Sequence, residues 1–129
     1  MRGTIVAALC VAASSVTSQT AHAQATMPVH AHRPLRKHVF VCNSSDCVER
    51  GSIGVLAALR HDVKAVGRQR VIKVTRTGCM GRCGEGPTVA VYPDGVWYRG
   101  VRDTDSGEIV REHLIQDRLV GRLVDDILQ

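Results

Sequence analysis

Aromatic side chains are nearly missing from this chain: one Phe, one Trp and two Tyr in 129 residues. That excludes nucleic-acid modules that stack bases on aromatic platforms. No apolar run approaches the roughly 18 residues that a membrane-crossing helix needs. There is no block of Lys and Arg either. The 17 Lys+Arg and 12 Asp+Glu, formal net charge +5, are spread along the chain. Such a balance suits an acidic partner surface and does not point to DNA or RNA. A phosphate-binding glycine motif, an H-E-x-x-H pair and the C-x-x-C of disulfide exchange are also missing. What remains is ordinary in bulk: 44% hydrophobic and 22% charged residues, which excludes wholesale disorder. The length suits one domain and not two.

Residues 1–26 differ from the rest. Arg2 precedes an apolar stretch from Ile5 to Ala13, and a small-residue segment ends in Ala21-His22-Ala23. This is the layout of a secretory leader with an A-x-A cleavage site. Cys10 lies inside the apolar stretch, after the large Leu9, so it does not read as a lipid anchor. Met27 offers a second start, with the upstream stretch untranslated. Under both readings residues 1–26 stand outside the fold. Residues 27–37 read as a flexible basic arm, with His30 and His32 solvated. Residues 38–129 are left for the folded domain.

Within the domain, KHVFVC from Lys37 to Cys42 alternates as a strand. Ile53, Leu56, Leu59, Val63 and Val66 recur at helical spacing, which predicts a helix from Ser52 to Val66, capped by Ser52 and stopped at Gly67. Three further strands are expected at Arg70–Thr75, Thr88–Tyr92 and Val96–Arg99, the last two joined at Pro93-Asp94-Gly95. A helix follows from Glu108, with Asp105 and Glu108 in capping-box relation. Leu119, Leu123, Val124, Ile127 and Leu128 suggest a final helical piece. The order β-α-β-β-β-α predicts an α/β sandwich of the thioredoxin type, a small mixed sheet covered by helices. His61 and His113 read as surface or edge residues, and Trp97 and Tyr98 as hairpin packing.

Four cysteines, Cys42, Cys47, Cys79 and Cys83, form a C-x4-C pair and a C-x3-C pair. Both pairs follow predicted strands that should lie side by side, so both loops should meet at one end of the sheet. Three chemistries use four convergent thiols. Two disulfides suit an exported chain. Structural zinc favours C-x2-C knuckles. A [2Fe–2S] cluster takes two thiolates on each iron and suits wider spacings. Gly78, Gly81, Gly84 and Gly86 surround the second pair. They allow positive φ and an inward-pointing nest of N–H groups for an anion. Asn43, Ser44 and Ser45 can add polar contacts from the first loop.

The segments HVFVCNSSDC, TGCMGRCGEGPTVAVYPDGVWYRGV and EIVREHL resemble the thioredoxin-like [2Fe–2S] ferredoxins. Residues 37–128 carry the resemblance, most specifically Gly78 to Tyr98. The cysteine spacings are similar to those of the small [2Fe–2S] subunit of NADH dehydrogenase. The resemblance implies one [2Fe–2S] cluster on Cys42, Cys47, Cys79 and Cys83. It implies a one-electron carrier between a reductase and an acceptor, with no catalytic residue, no nucleic acid and no membrane span. Free-standing members often dimerise, so a homodimer is implied too. The first cysteine loop is shorter here than in many free-standing members. Clusters are normally inserted in the cytoplasm, which favours the start at Met27 and a cytoplasmic protein. A functional leader would place it in the periplasm or outside the cell. The expected potential is low, between about −200 and −400 mV. Arg50, Arg82 and Arg99 are expected near the cluster edge as docking charges.

Overall fold

The computed structural model describes residues 34–128, all within one compact unit of residues 32–129. The leader at residues 1–26, Cys10, and the arm's His30 and His32 lie outside the described residues. The β-branched run KHVFVC forms β1 (Lys37–Cys42), and a short helix α1 (Ser45–Glu49) follows it. Helix α2 (Ser52–Ala65) leads into β2 (Ile72–Thr77). The cysteine-glycine loop includes a 3-10 turn at Cys83–Glu85. A hairpin of β3 (Val89–Tyr92) and β4 (Val96–Tyr98) comes next. Helix α3 (Ser106–Glu108) widens into a π-helix over Ile109–Ile115. A 3-10 turn (Gly121–Leu123) then hands over to β5 (Val124–Ile127).

The five strands form one mixed sheet in the order β2-β1-β3-β4-β5. Only β1 and β2 run parallel, with Lys37 opposite Ile72 and Cys42 opposite Thr77. Their connection is the α2 crossover that parallel neighbours require. The remaining neighbours are antiparallel.

The helices cover one face of the sheet. Val39, Val41, Val74, Val89, Val91 and Val96 turn to that face and meet Val55, Leu59, Val63, Ile109 and Leu114 from the helices. The registers put Phe40, Ala90 and Trp97 on the opposite face. There Phe40 and Tyr92 pack edge to face at 6.0 Å, and Trp97 Nε1 donates to the Tyr92 hydroxyl at 3.2 Å. Three of the four aromatic side chains therefore shield the helix-free face; the fourth, Tyr98, is fully buried in the core.

Several local expectations change. The Cys42–Gly51 loop contains helix α1, too short to show a periodicity. The α2 N-cap is Gly51 at φ +94, and Ser52 is its first helical residue. Strand β2 starts two residues late, because Val71 and Ile72 donate their N–H groups back to the Arg68 carbonyl. The Asp105 carboxylate caps the Arg102 N–H at 2.8 Å, while Glu108 pairs with Arg122. The C-terminal piece is a strand and not a helix. Its i, i+4 apolar spacing is overridden by pairing with β4, which would otherwise leave a row of backbone groups unsatisfied.

His113 is the largest correction. It is 1% exposed and not a surface residue. Its Nε2 lies 3.0 Å from Asp94 Oδ2, and its Nδ1 lies 2.7 Å from the Tyr98 hydroxyl. A carboxylate only accepts, so Nε2 carries the proton and Nδ1 accepts from Tyr98. Tyr98 in turn accepts from the Val120 N–H at 3.3 Å. Lys37, also buried, pairs with both Asp94 and Asp117. His61 is exposed, as expected.

Candidate metal centre

The parallel register positions the site. Cys42 ends β1 opposite Thr77, the last residue of β2. Asn43 N donates to Thr77 O at 3.0 Å, and Cys42 N donates to Thr88 O at 3.0 Å. These bonds tie the first cysteine turn to both flanks of the Gly78–Pro87 loop. Helix α1 carries Cys47 inward, fully buried, against the 3-10 turn that Cys83 opens. Cys79 follows two residues after β2 and is exposed. All four cysteines thus stand on the two loops at one end of the sheet. Neither Cys42 nor Cys47 is in a disulfide.

Hydrogen-bond donors surround the sulfurs. Gly81 N donates to Cys79 Sγ at 3.3 Å. Met80 offers its backbone N–H to Cys42, and Thr88 offers its own to Cys47. Ser44 Oγ lies 3.4 Å from Cys42 Sγ, while the Cys42 thiol itself donates to the Gly78 carbonyl at 3.3 Å. Burial pushes the Cys42 thiol up, but bonds from Ser44, Met80 and Cys47 outweigh it and bring the thiol below its ordinary value. Burial and the neighbouring Cys42 hold Cys47 above its own. The pair therefore holds one thiolate readily and a second only against repulsion, which a bound cation relieves.

The nest expected from four glycines rests on fewer of them. In this loop only Gly81 has positive φ, at +80. Gly86 has ordinary φ but no spare space: a Cβ built there would run into Cys47 Sγ. Asn43 does not join the sulfurs; its Nδ2 donates to Ser52 Oγ at 2.7 Å and fixes the start of α2.

Among the described residues, no three His, Cys, Asp or Glu converge tightly enough for a single ion. Cys42 and Cys47 stand close together, as two thiolates on one iron of a cluster would. The thiol donor set and the N–H groups aimed at sulfur fit an anionic cluster.

Two of the three expected docking cations are already spent. Arg82 pairs with Asp125 and, at 2.9 Å, with Asp126, and its guanidinium lies 5.0 Å from the Trp97 ring. Arg99 lies 3.6 Å from Glu85 and 3.8 Å from Asp125. These contacts bind the second cysteine loop to β5, a role hidden while the C-terminus reads as a helix. Of these three, only Arg50, at the end of α1, is exposed with no acidic partner among the described residues.

Comparison with known proteins follows the same geometry. The family model for thioredoxin-like [2Fe–2S] ferredoxin matches residues 26–113. A 2Fe-2S ferredoxin of Aquifex aeolicus (strain VF5) is 42% identical over 97 residues, 68% of this chain and 87% of that one. A 2Fe-2S ferredoxin of Clostridium pasteurianum is 33% identical over 96 residues, 68% of this chain and 94% of that one. A solved thioredoxin-like [2Fe–2S] ferredoxin from Aquifex aeolicus superposes with a TM-score of 0.69 at 38% identity, covering 74% of this chain and 94% of its own.

Proposed function

Because this chain belongs to the thioredoxin-like [2Fe–2S] ferredoxins, electron carriers and not enzymes, we propose that Cys42, Cys47, Cys79 and Cys83 hold its cluster. One observation carries the assignment: the parallel β1–β2 register that sets Cys42 beside Thr77 and so brings both cysteine loops to one end of the sheet. When bound, the cluster accepts and returns one electron, moving between formal charges of −2 and −3 with its thiolates. The chain's part is electrostatic. The N–H groups of Met80, Gly81 and Thr88 point at sulfur and favour the more negative state. The buried Cys47 side keeps water from one flank. The exposed Cys79 leaves the other flank open, and we assign electron entry and exit to it.

The family implies redox partners, and no helix among the described residues is long and apolar enough to cross a membrane. We take the partners to be a reductase on one side and an acceptor on the other, with pairing into a homodimer as in many relatives. The cytoplasm is the compartment we assign, because reduced thiolates and cluster insertion need a reducing setting.

The test is iron, zinc and acid-labile sulfide per chain, on protein purified without oxygen. Two irons and two sulfides are expected. One zinc without sulfide would replace the reading with a structural metal module. No metal and oxidised thiols would replace it with an exported, disulfide-stapled domain.

A further inference from the structure

With Arg82 and Arg99 committed to carboxylates, the chain's unneutralised charge lies elsewhere. Six cations, Arg60, Lys64, Arg68, Arg70, Lys73 and Arg76, fall within seventeen consecutive positions. All are exposed, and none pairs with a carboxylate among the described residues. The stretch holds one acid, Asp62, and that carboxylate is taken up by Ser106 and His61. In contrast, Arg36, Lys37, Arg82, Arg99, Arg118 and Arg122 each sit on an acid.

Three of these cations, Arg60, Lys64 and Lys73, line a hollow. Between α2 and β2 is a groove of about 230 Å³, rimmed by Arg60, Lys64, Gln69 and Lys73 over a floor of Val63, Ile72 and Val74. Strand β2 is the edge of the sheet. Arg60 Nε donates to the Val74 carbonyl at 3.3 Å, so one cation also guards that edge. Edge protection accounts for a charge or two on a strand. It does not account for charges on α2 and on the α2–β2 connection. Three like charges around one groove, with Arg68, Arg70 and Arg76 close by in the chain, cost self-repulsion that an opposing acidic surface would relieve. The face also leads to the metal centre: β2 runs directly into Gly78 and Cys79. Arg76 is about 10 Å, and Lys73 about 20 Å, along the chain from Cys79.

We propose that this α2–β2 face is the docking surface for an acidic redox protein, and that it orients the partner's electron-transfer site toward Cys79. The proposal rests on the electron-carrier reading. It moves the docking charge from the loop arginines to the neighbouring sheet edge. The apolar floor receives side chains of the partner while the rim pairs with its carboxylates.

Its test does not need the cluster, so its failure is distinct from failure of the ferredoxin assignment. Fluorescein-labelled poly-L-glutamate is titrated into the full chain, and amide shifts of labelled protein map the contact. Perturbations should concentrate on residues 60–76. Affinity should fall by at least about tenfold in Lys73→Glu/Arg76→Glu, and similarly between about 20 and 200 mM salt. Lys73→Arg/Arg76→Lys should keep it. Contacts centred on Arg50 or Arg82, or unchanged affinity in the reversal variant, would overturn the proposal. So would tighter binding of duplex DNA through the same residues. Self-association by sedimentation that vanishes in the reversal variant would give the face to a second copy instead.

Discussion

The two ends of strand β1 are built on opposite plans. At its start, Lys37, Asp94, Asp117, His113, Tyr98 and the Val120 N–H complete one another's hydrogen bonds. At its finish, about 17 Å away, two thiols crowd each other, N–H groups point at sulfur, and the Cys47 sulfur fits against Gly86 where a side chain would clash. The first end is satisfied by the chain alone. The second sets two thiols together that ionise jointly only against repulsion. One sheet thus separates a closed polar lock from the candidate binding end, and changes at one should leave the other's signature intact.

The strongest way to break this division is at the cysteines. Cys79→Ser or Cys83→Ser should abolish or severely destabilise cluster binding, read as lost visible absorption and lost iron and sulfide, while far-ultraviolet circular dichroism keeps its sheet and helix content. Cys10→Ser should change neither. Next comes Gly86→Ala, which forces a methyl against Cys47. Overpacking of this kind costs about 1–3 kcal/mol, and it should appear as reduced iron per chain at unchanged Tyr98 burial.

At the other end, Tyr98→Phe leaves His113 Nδ1 and the Val120 N–H without their partner. A loss of about 1–3 kcal/mol in chemical denaturation is expected, with the reduction potential unmoved. The smallest effect concerns pH. Burial holds His113 below its ordinary 6.5, although Asp94 pulls the other way. The unfolded chain then binds a proton that the folded chain resists. The His113 contribution is therefore full above about pH 6.5 and is lost as pH falls toward the folded value. His113→Gln should flatten that slope. A slope unchanged in the variant would assign it to another group.

Much of the fold was legible because its signals are local. The alternation of KHVFVC, the apolar stripe of α2 and the Pro93-Asp94-Gly95 turn each carry their own period or turn chemistry. The C-terminus was not legible. VDDI has little strand character by itself and becomes β5 because β4 presents an open edge and Arg82 presents a cation to Asp125 and Asp126. The burial of His113 is not legible in the sequence for a related reason: it depends on Tyr98, Asp94 and Lys37, which arrive from three different strands or turns.

For the site, the sequence by itself determined the ligand type. Four thiols in two spaced pairs, the second within a glycine-rich loop, narrow the choice to disulfides, zinc or an iron–sulfur cluster, since ligand type and loop freedom are properties of the residues. Charge was different. Whether an arginine is free or spent depends on which carboxylates the fold brings beside it. Only the tertiary structure paired Arg82 and Arg99 with the C-terminal strand, and only it left the α2–β2 edge positive. Coulomb energy depends on distance between groups far apart in sequence, and that distance is set by the sheet.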